Sequence, residues 1–133
     1  MLAVTYPRLL APPRSSFFLL GPRGTGKSTW ARERFPRAER FDLLDEGLYQ
    51  ELLAEPGQLA DRLRTRPRGS WVWVDEVQRL PGLLNQVHRS IEERRLRFVL
   101  TGSSARKLRR SGVNLLGGRA LTRELHPFLP EEL

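Results

Sequence analysis

Apolar residues in this chain fall into short dense runs. Ser16-Phe17-Phe18-Leu19-Leu20 halts at Gly21-Pro22, Ser70 to Val74 halts at Asp75-Glu76, and Leu96 to Thr101 closes at Gly102. Short runs with apolar residues at successive positions are expected of strands covered on both faces, as in a parallel sheet. Arg40 to Leu44 and Ala120 to Leu125, the latter ended by Pro127, read as two further strands. Between the strands the spacing changes. Lys27 to Phe35, stopped by Pro36, reads as a helix. Asp45 to Arg66 is helical in pattern (Leu48, Leu52, Leu53, then Leu59, Leu63) and broken at Pro56-Gly57. Leu83 to Arg95 brings Leu83, Leu84, Val87 and Ile91 to one side, and Ser104 to Arg110 is a short helix. Strands alternating with helices predict an α/β fold, a five-stranded, mostly parallel sheet in a three-layer sandwich. Pro7, Pro12 and Pro13 make residues 1–15 an irregular lead-in, which leaves 16–133 as one core domain.

The first strand runs into Gly21-Pro22-Arg23-Gly24-Thr25-Gly26-Lys27-Ser28. Glycine at the first and sixth positions, then Lys-Ser, is the P-loop pattern. The glycines permit backbone angles and close approaches that a side chain would block. Successive backbone N–H groups, with the N-terminus of the following helix, then converge on phosphates. Lys27 would neutralise the β- and γ-phosphates, Ser28 would offer a hydroxyl to Mg²⁺, and residues 21 to Thr29 would line the nucleotide. A random arrangement of this composition would give the pattern in roughly one chain in a thousand. A glycine-rich turn is the plain alternative, and the strand before and helix after argue against it.

Val72-Trp73-Val74 ends in Asp75-Glu76. Ligands of open parallel sheets sit at the carboxyl ends of the strands. Asp75 would hold Mg²⁺, mostly through water, and Glu76 would polarise an attacking water as general base. Trp71 and Trp73 alternate with valines and read as core aromatics rather than base-stacking platforms. Phe98-Val99-Leu100 runs into Thr101-Gly102-Ser103-Ser104, whose hydroxyls could sense the γ-phosphate or orient water; Ser103 or Ser104 could equally cap a helix. His88 and His126 stand in no metal-ligand spacing and read as structural.

Composition narrows the classes. The 133 residues suit one domain. The absence of cysteine excludes disulfide staples and thiolate metal sites. No apolar run reaches the ~20 residues of a membrane helix, and Met1 to Pro7 does not begin like a signal peptide; a cytoplasmic protein is expected. Net charge is +8, and 21 of the 23 basic residues are arginine. Such a skew fits a compositional habit as well as a nucleic-acid-binding face. One of only two lysines stands in the glycine loop.

The order Gly-Pro-Arg-x-x-Gly-Lys-Ser, Asp75-Glu76-Val77-Gln78 with Leu80-Pro81, Thr101-Gly102-Ser103-Ser104, Gly118-Arg119 and Pro127-Phe128 resembles the AAA-type domain of bacterial and archaeal predicted ATPases, over about residues 6 to 132. The resemblance implies an AAA+-like core of five parallel strands, ATP and Mg²⁺ as cofactors, and Thr101 or Ser103 at the sensor-1 position. It also implies Arg119 as an arginine finger acting in trans within a homo-oligomer. Related proteins continue into a long C-terminal region, whereas this sequence stops at Leu133. It carries no helical lid, so no sensor-2 arginine is assigned. ATP hydrolysis coupled to a conformational output is the leading expectation. A small-molecule kinase would need a lid and an acceptor pocket for which the residues after Gly102 are too few. The alternative is a nucleotide-dependent switch or nucleic-acid-binding module without significant turnover.

Overall fold

The computed structural model describes residues 14–22, 26–103 and 121–124, the last as backbone. Five strands, β1 (Phe17–Leu20), β2 (Glu39–Asp42), β3 (Trp71–Asp75), β4 (Arg97–Gly102) and β5 (Leu121–Glu124), form one sheet in the order β2-β3-β4-β1-β5. Every pairing is parallel. The helices are α1 (Lys27–Arg34), α2 (Glu46–Ala54), α3 (Gln58–Arg62) and α4 (Leu84–Arg94). Two 3₁₀ turns, Val77–Arg79 and Pro81–Leu83, lie between β3 and α4. The expected elements stand within four residues of these bounds, the helical stretch expected to Arg66 ending at Arg62; the lead-in before residue 14, the helix at 104–110 and Arg119 lie outside the described residues.

The period of two along each strand builds two cores. Phe17, Leu19, Trp73 and Val99 pack with Ala31 and Phe35 beneath α1. Phe18, Leu20, Val72, Val74, Phe98 and Leu100 face the other way, against Leu52, Leu59, Leu84 and Val87 of α2, α3 and α4. Helices on both faces explain why the central strands β1, β3 and β4 are apolar at successive positions through their middles, whereas the edge strands β2 and β5 carry charged residues. Asp75 and Thr101 continue the α1 side of β3 and β4, because side chains two apart share a face. The same parity puts Leu20 and Gly102, register partners across β1 and β4, on the opposite face.

The strand order matters for chemistry. The acidic strand β3 is not the neighbour of β1; β4 stands between them. Asp75 is therefore in register with Thr101, and Leu20, the last residue before the glycine loop, with Gly102. The start of the glycine loop, Asp75 and Thr101 thus lie at the carboxyl ends of three adjacent strands.

Candidate functional site

At the end of β1, Gly21 N–H donates to the Gly102 carbonyl, 3.1 Å, which fixes where the loop leaves the sheet. Gly26 then caps α1 with φ +87°, in the left-handed region where a Cβ is penalised. No side chain caps this helix start and its first turn holds no acid, a setting that suits an anion. Lys27 is buried, and its ammonium donates to the carbonyls of Gly21 (2.7 Å) and Pro22 (3.1 Å). It thereby spans the loop from the helix side. Ser28 is half-buried and Thr29 exposed on α1. Arg23, Gly24 and Thr25 lie outside the described residues.

Asp75 is only 4% exposed and is the last residue of β3 rather than the first beyond it. Its Oδ1 accepts from the Thr101 hydroxyl at 2.7 Å and its Oδ2 from Arg40 at 2.7 Å. The Trp73 indole N–H donates to Thr101 Oγ1 at 2.9 Å, and the Arg40 guanidinium lies over the Trp73 ring, 4.5 Å from its centroid. Arg40, Asp75, Thr101 and Trp73 thus close a ring across three strands. A buried carboxylate needs such partners. Two donors leave it spare lone pairs.

The two hydroxyls that the sequence left as alternatives differ in setting. Thr101 is fully buried, with its hydroxyl engaged as donor to Asp75 and acceptor from Trp73 inside the sheet. Ser103 is half-buried, and its Oγ donates to Glu76 Oε1 at 3.1 Å. Glu76 itself has φ +60° and ψ +47°, left-handed angles for a non-glycine residue, which cost on the order of 1 kcal/mol. The bend turns its carboxylate off the strand axis. Gln78 Nε2 donates to the same Oε1 at 2.6 Å and to Ser103 Oγ at 3.1 Å, so three side chains form a closed triangle. The carboxamide is set this way round because its oxygen would repel the carboxylate; that oxygen is buried without a partner. It lies where a Cβ on Gly102 would stand. Gly102 is thus a space for Gln78 rather than a mere strand end.

Arg40, Gln78 and Gly102 were not among the expected site residues, and Trp73 was expected only as core. Gln78 stood in the Asp-Glu-Val-Gln run; Arg40 had no signal in a chain this rich in arginine.

A family model described as an AAA domain matches residues 13–133. The chain belongs to the AAA domain family. No curated protein sequence matches it. Among solved structures, this AAA domain is similar to the RuvB Holliday junction branch migration motor of Thermotoga maritima, with 23% identity, 89% of this chain and 40% of that chain covered, and a TM-score of 0.57. It is also similar to PCH-2 of C. elegans, with 17% identity, 91% and 36% covered, and a TM-score of 0.51. At these identities the likeness concerns the fold, and the AAA domain spans less than half of either chain.

Proposed function

We propose that this domain binds ATP with Mg²⁺ and hydrolyses it, with Lys27 on the phosphates and Glu76 as general base. The observation that carries the reading is the convergence of the glycine loop, Asp75-Glu76 and Ser103 on one sheet edge through the interposed β4. Lys27 would exchange the Gly21 and Pro22 carbonyls for phosphate oxygens. The Glu76 carboxylate would take a proton from water, and Ser103, its hydrogen-bond partner, is the half-buried hydroxyl nearest in role to a γ-phosphate sensor. The donor set suits Mg²⁺: Ser28 and Asp75 offer hard oxygens, and among the described residues no three acidic or histidine side chains gather to hold an ion without phosphates. When bound, Mg²⁺ would neutralise phosphate charge, held by Ser28 directly and Asp75 largely through water.

Lys27→Ala should abolish binding of a fluorescent ATP analogue while leaving the thermal melt of the apoprotein nearly unchanged. Equal affinity in both proteins would refute the assignment. We extend the reading to Arg119 as an arginine finger in trans, an effect on the order of 10³–10⁵ in rate where it operates. Specific activity should then rise with protein concentration, and mixing Arg119→Ala with Lys27→Ala protein should restore activity through mixed interfaces. A second reading, a nucleotide-dependent switch with little turnover, draws on one observation: Glu76 is tied to Gln78 and Ser103. Tight binding with no phosphate release at any protein concentration would favour it.

A further inference from the structure

The opposite end of the sheet carries a separate feature. Where β3 begins at Trp71 and β4 at Arg97, a cleft of about 670 Å³ opens. Five of its twelve lining residues are arginines (Arg14, Arg34, Arg37, Arg66, Arg97) and none is acidic. With 21 arginines in 133 residues, about two would be expected by composition alone. Phe35 and Trp71 supply the apolar wall. Among the described residues no ion pair engages Arg14, Arg37, Arg66 or Arg97.

Part of this charge builds the cleft. Arg97 Nε donates to the Gly69 carbonyl at 2.8 Å, its Nη1 to the Arg14 carbonyl at 3.3 Å, and its guanidinium lies over the Trp71 ring at 4.7 Å. Arg66 Nη2 donates to the Arg37 carbonyl at 3.0 Å, while its Nε is buried without an acceptor. An unsatisfied buried donor costs about 1–3 kcal/mol. A second cleft of about 230 Å³ adjoins the first, sharing Arg14 and Arg97 and adding Arg95, with Glu92 as its single carboxylate.

Two concavities separated by a cationic ridge match a polymer that alternates a flat apolar unit with an anion. We propose that this end of the sheet binds single-stranded nucleic acid, with bases entering the two clefts and phosphates lying on Arg14, Arg37 and Arg97. Guanidinium groups pair bidentately with phosphate, and bases stack on arginine and aromatic planes. Arg97, held over Trp71 and by two backbone carbonyls, is already fixed in place. An acidic protein segment would match the charge but not the repeated flat unit. A duplex keeps its bases in the stack and out of the clefts. The site is independent of the proposed ATP chemistry, which lies at the other ends of the same strands.

The test is fluorescence anisotropy of a labelled oligothymidylate on the full chain without nucleotide, titrated at several salt concentrations. The double reversal Arg14→Glu/Arg37→Glu should weaken binding by ~10-fold or more and reduce the salt slope by roughly two. Arg32→Glu/Arg89→Glu makes the same change in net charge on exposed residues outside both clefts and should cost much less. Equal losses would overturn the proposal, as would duplex binding as tight as single-strand binding, or displacement of the strand by polyglutamate at equal charge. Lys27→Ala should bind the strand like the parent; a loss as large as that of the cleft reversal would move the strand to the glycine loop and overturn it too. Should the reversal fail to fold, Trp71→Phe keeps the matter open to refutation. Oligothymidylate should quench tryptophan emission less in that variant, and undiminished quenching would overturn the proposal.

Discussion

Gly102→Ala is the sharpest probe of the triangle around Glu76. Nothing in the backbone forbids alanine, since positive φ among the described residues is confined to Gly26, Gly69, Glu76 and Arg95. Alanine there should even gain ~0.4–1 kcal/mol by restricting the unfolded chain. The obstacle is the Gln78 carboxamide oxygen, which occupies the place of the new methyl, with Leu20 Cδ2 only 3.2 Å away on another side. Gln78 can yield only by giving up its bond to Glu76, 2.6 Å and to a carboxylate, and its bond to Ser103. A hydrogen bond to a charged group contributes about 1.5–3 kcal/mol and a neutral one about 1, while overpacking costs ~1–3 kcal/mol where the neighbour stays put. These are alternative routes for relaxation, so the net expected loss is about 1–3 kcal/mol, a fall in Tm of roughly 3–10 °C for a domain of this size. Urea denaturation of the parent, Gly102→Ala, Gln78→Ala and the double variant measures it. With the carboxamide gone the methyl has room, so the double variant should be less destabilised than the two singles added, by ~1–2 kcal/mol. Additivity within ~0.5 kcal/mol, or a Gly102→Ala protein as stable as the parent, would refute the packing argument.

Glu76→Gln should keep ATP binding and lose ~10²–10⁴ in hydrolysis rate, read by single-turnover phosphate release. Thr101→Val removes the hydroxyl between Trp73 and Asp75 and should cost ~1–3 kcal/mol in chemical denaturation by leaving both short of a partner. Arg40→Ala should destabilise the apoprotein by about 1–2 kcal/mol, less than a fully buried pair because the guanidinium is 36% exposed; Mg²⁺ with ADP should raise its Tm more than the parent's. Asp75→Ala should weaken Mg²⁺-dependent nucleotide binding while sparing the Mg²⁺-independent component, as isothermal titration with and without EDTA would report.

Element positions were legible because each had a local cause. Dense apolar runs ended at Gly21, Asp75 and Gly102, and Pro36 and Pro56-Gly57 cut the helices where the structure cuts them. Strand adjacency had no local cause. Nothing in the residues of β4 announces that it inserts between β1 and β3, and without that order the Thr101–Asp75 bond could not be foreseen. The glycine loop and the two carboxylates stood out in the sequence because Gly21 to Ser28 matches a known spacing and an acidic pair ends an apolar run; their chemistry is the proposed one. Gly102 misled, since a glycine after a strand reads as a stop, whereas its function depends on a side chain 24 positions earlier. The left-handed turn at Glu76 was equally silent, because glutamate is not a residue that advertises positive φ.

Adjacent residues at the tip of β3 are served by networks that share no atom. Asp75 is held on the α1 face by Arg40 and Thr101, with Trp73 behind them. Glu76, turned by its left-handed backbone, is held by Ser103 and Gln78, and Gln78 packs over Gly102 and toward Leu20 on the opposite face. In the proposed reaction the first carboxylate should stay fixed, and burial in a ring of three partners does that. The second must reach a water molecule, and its ties end in flexible side chains near the strand tips. The left-handed turn just beyond β3 would therefore separate a rigid anchor from a releasable base. A change that loosens Gln78 should alter hydrolysis while leaving the Asp75 ring, and the stability it confers, in place.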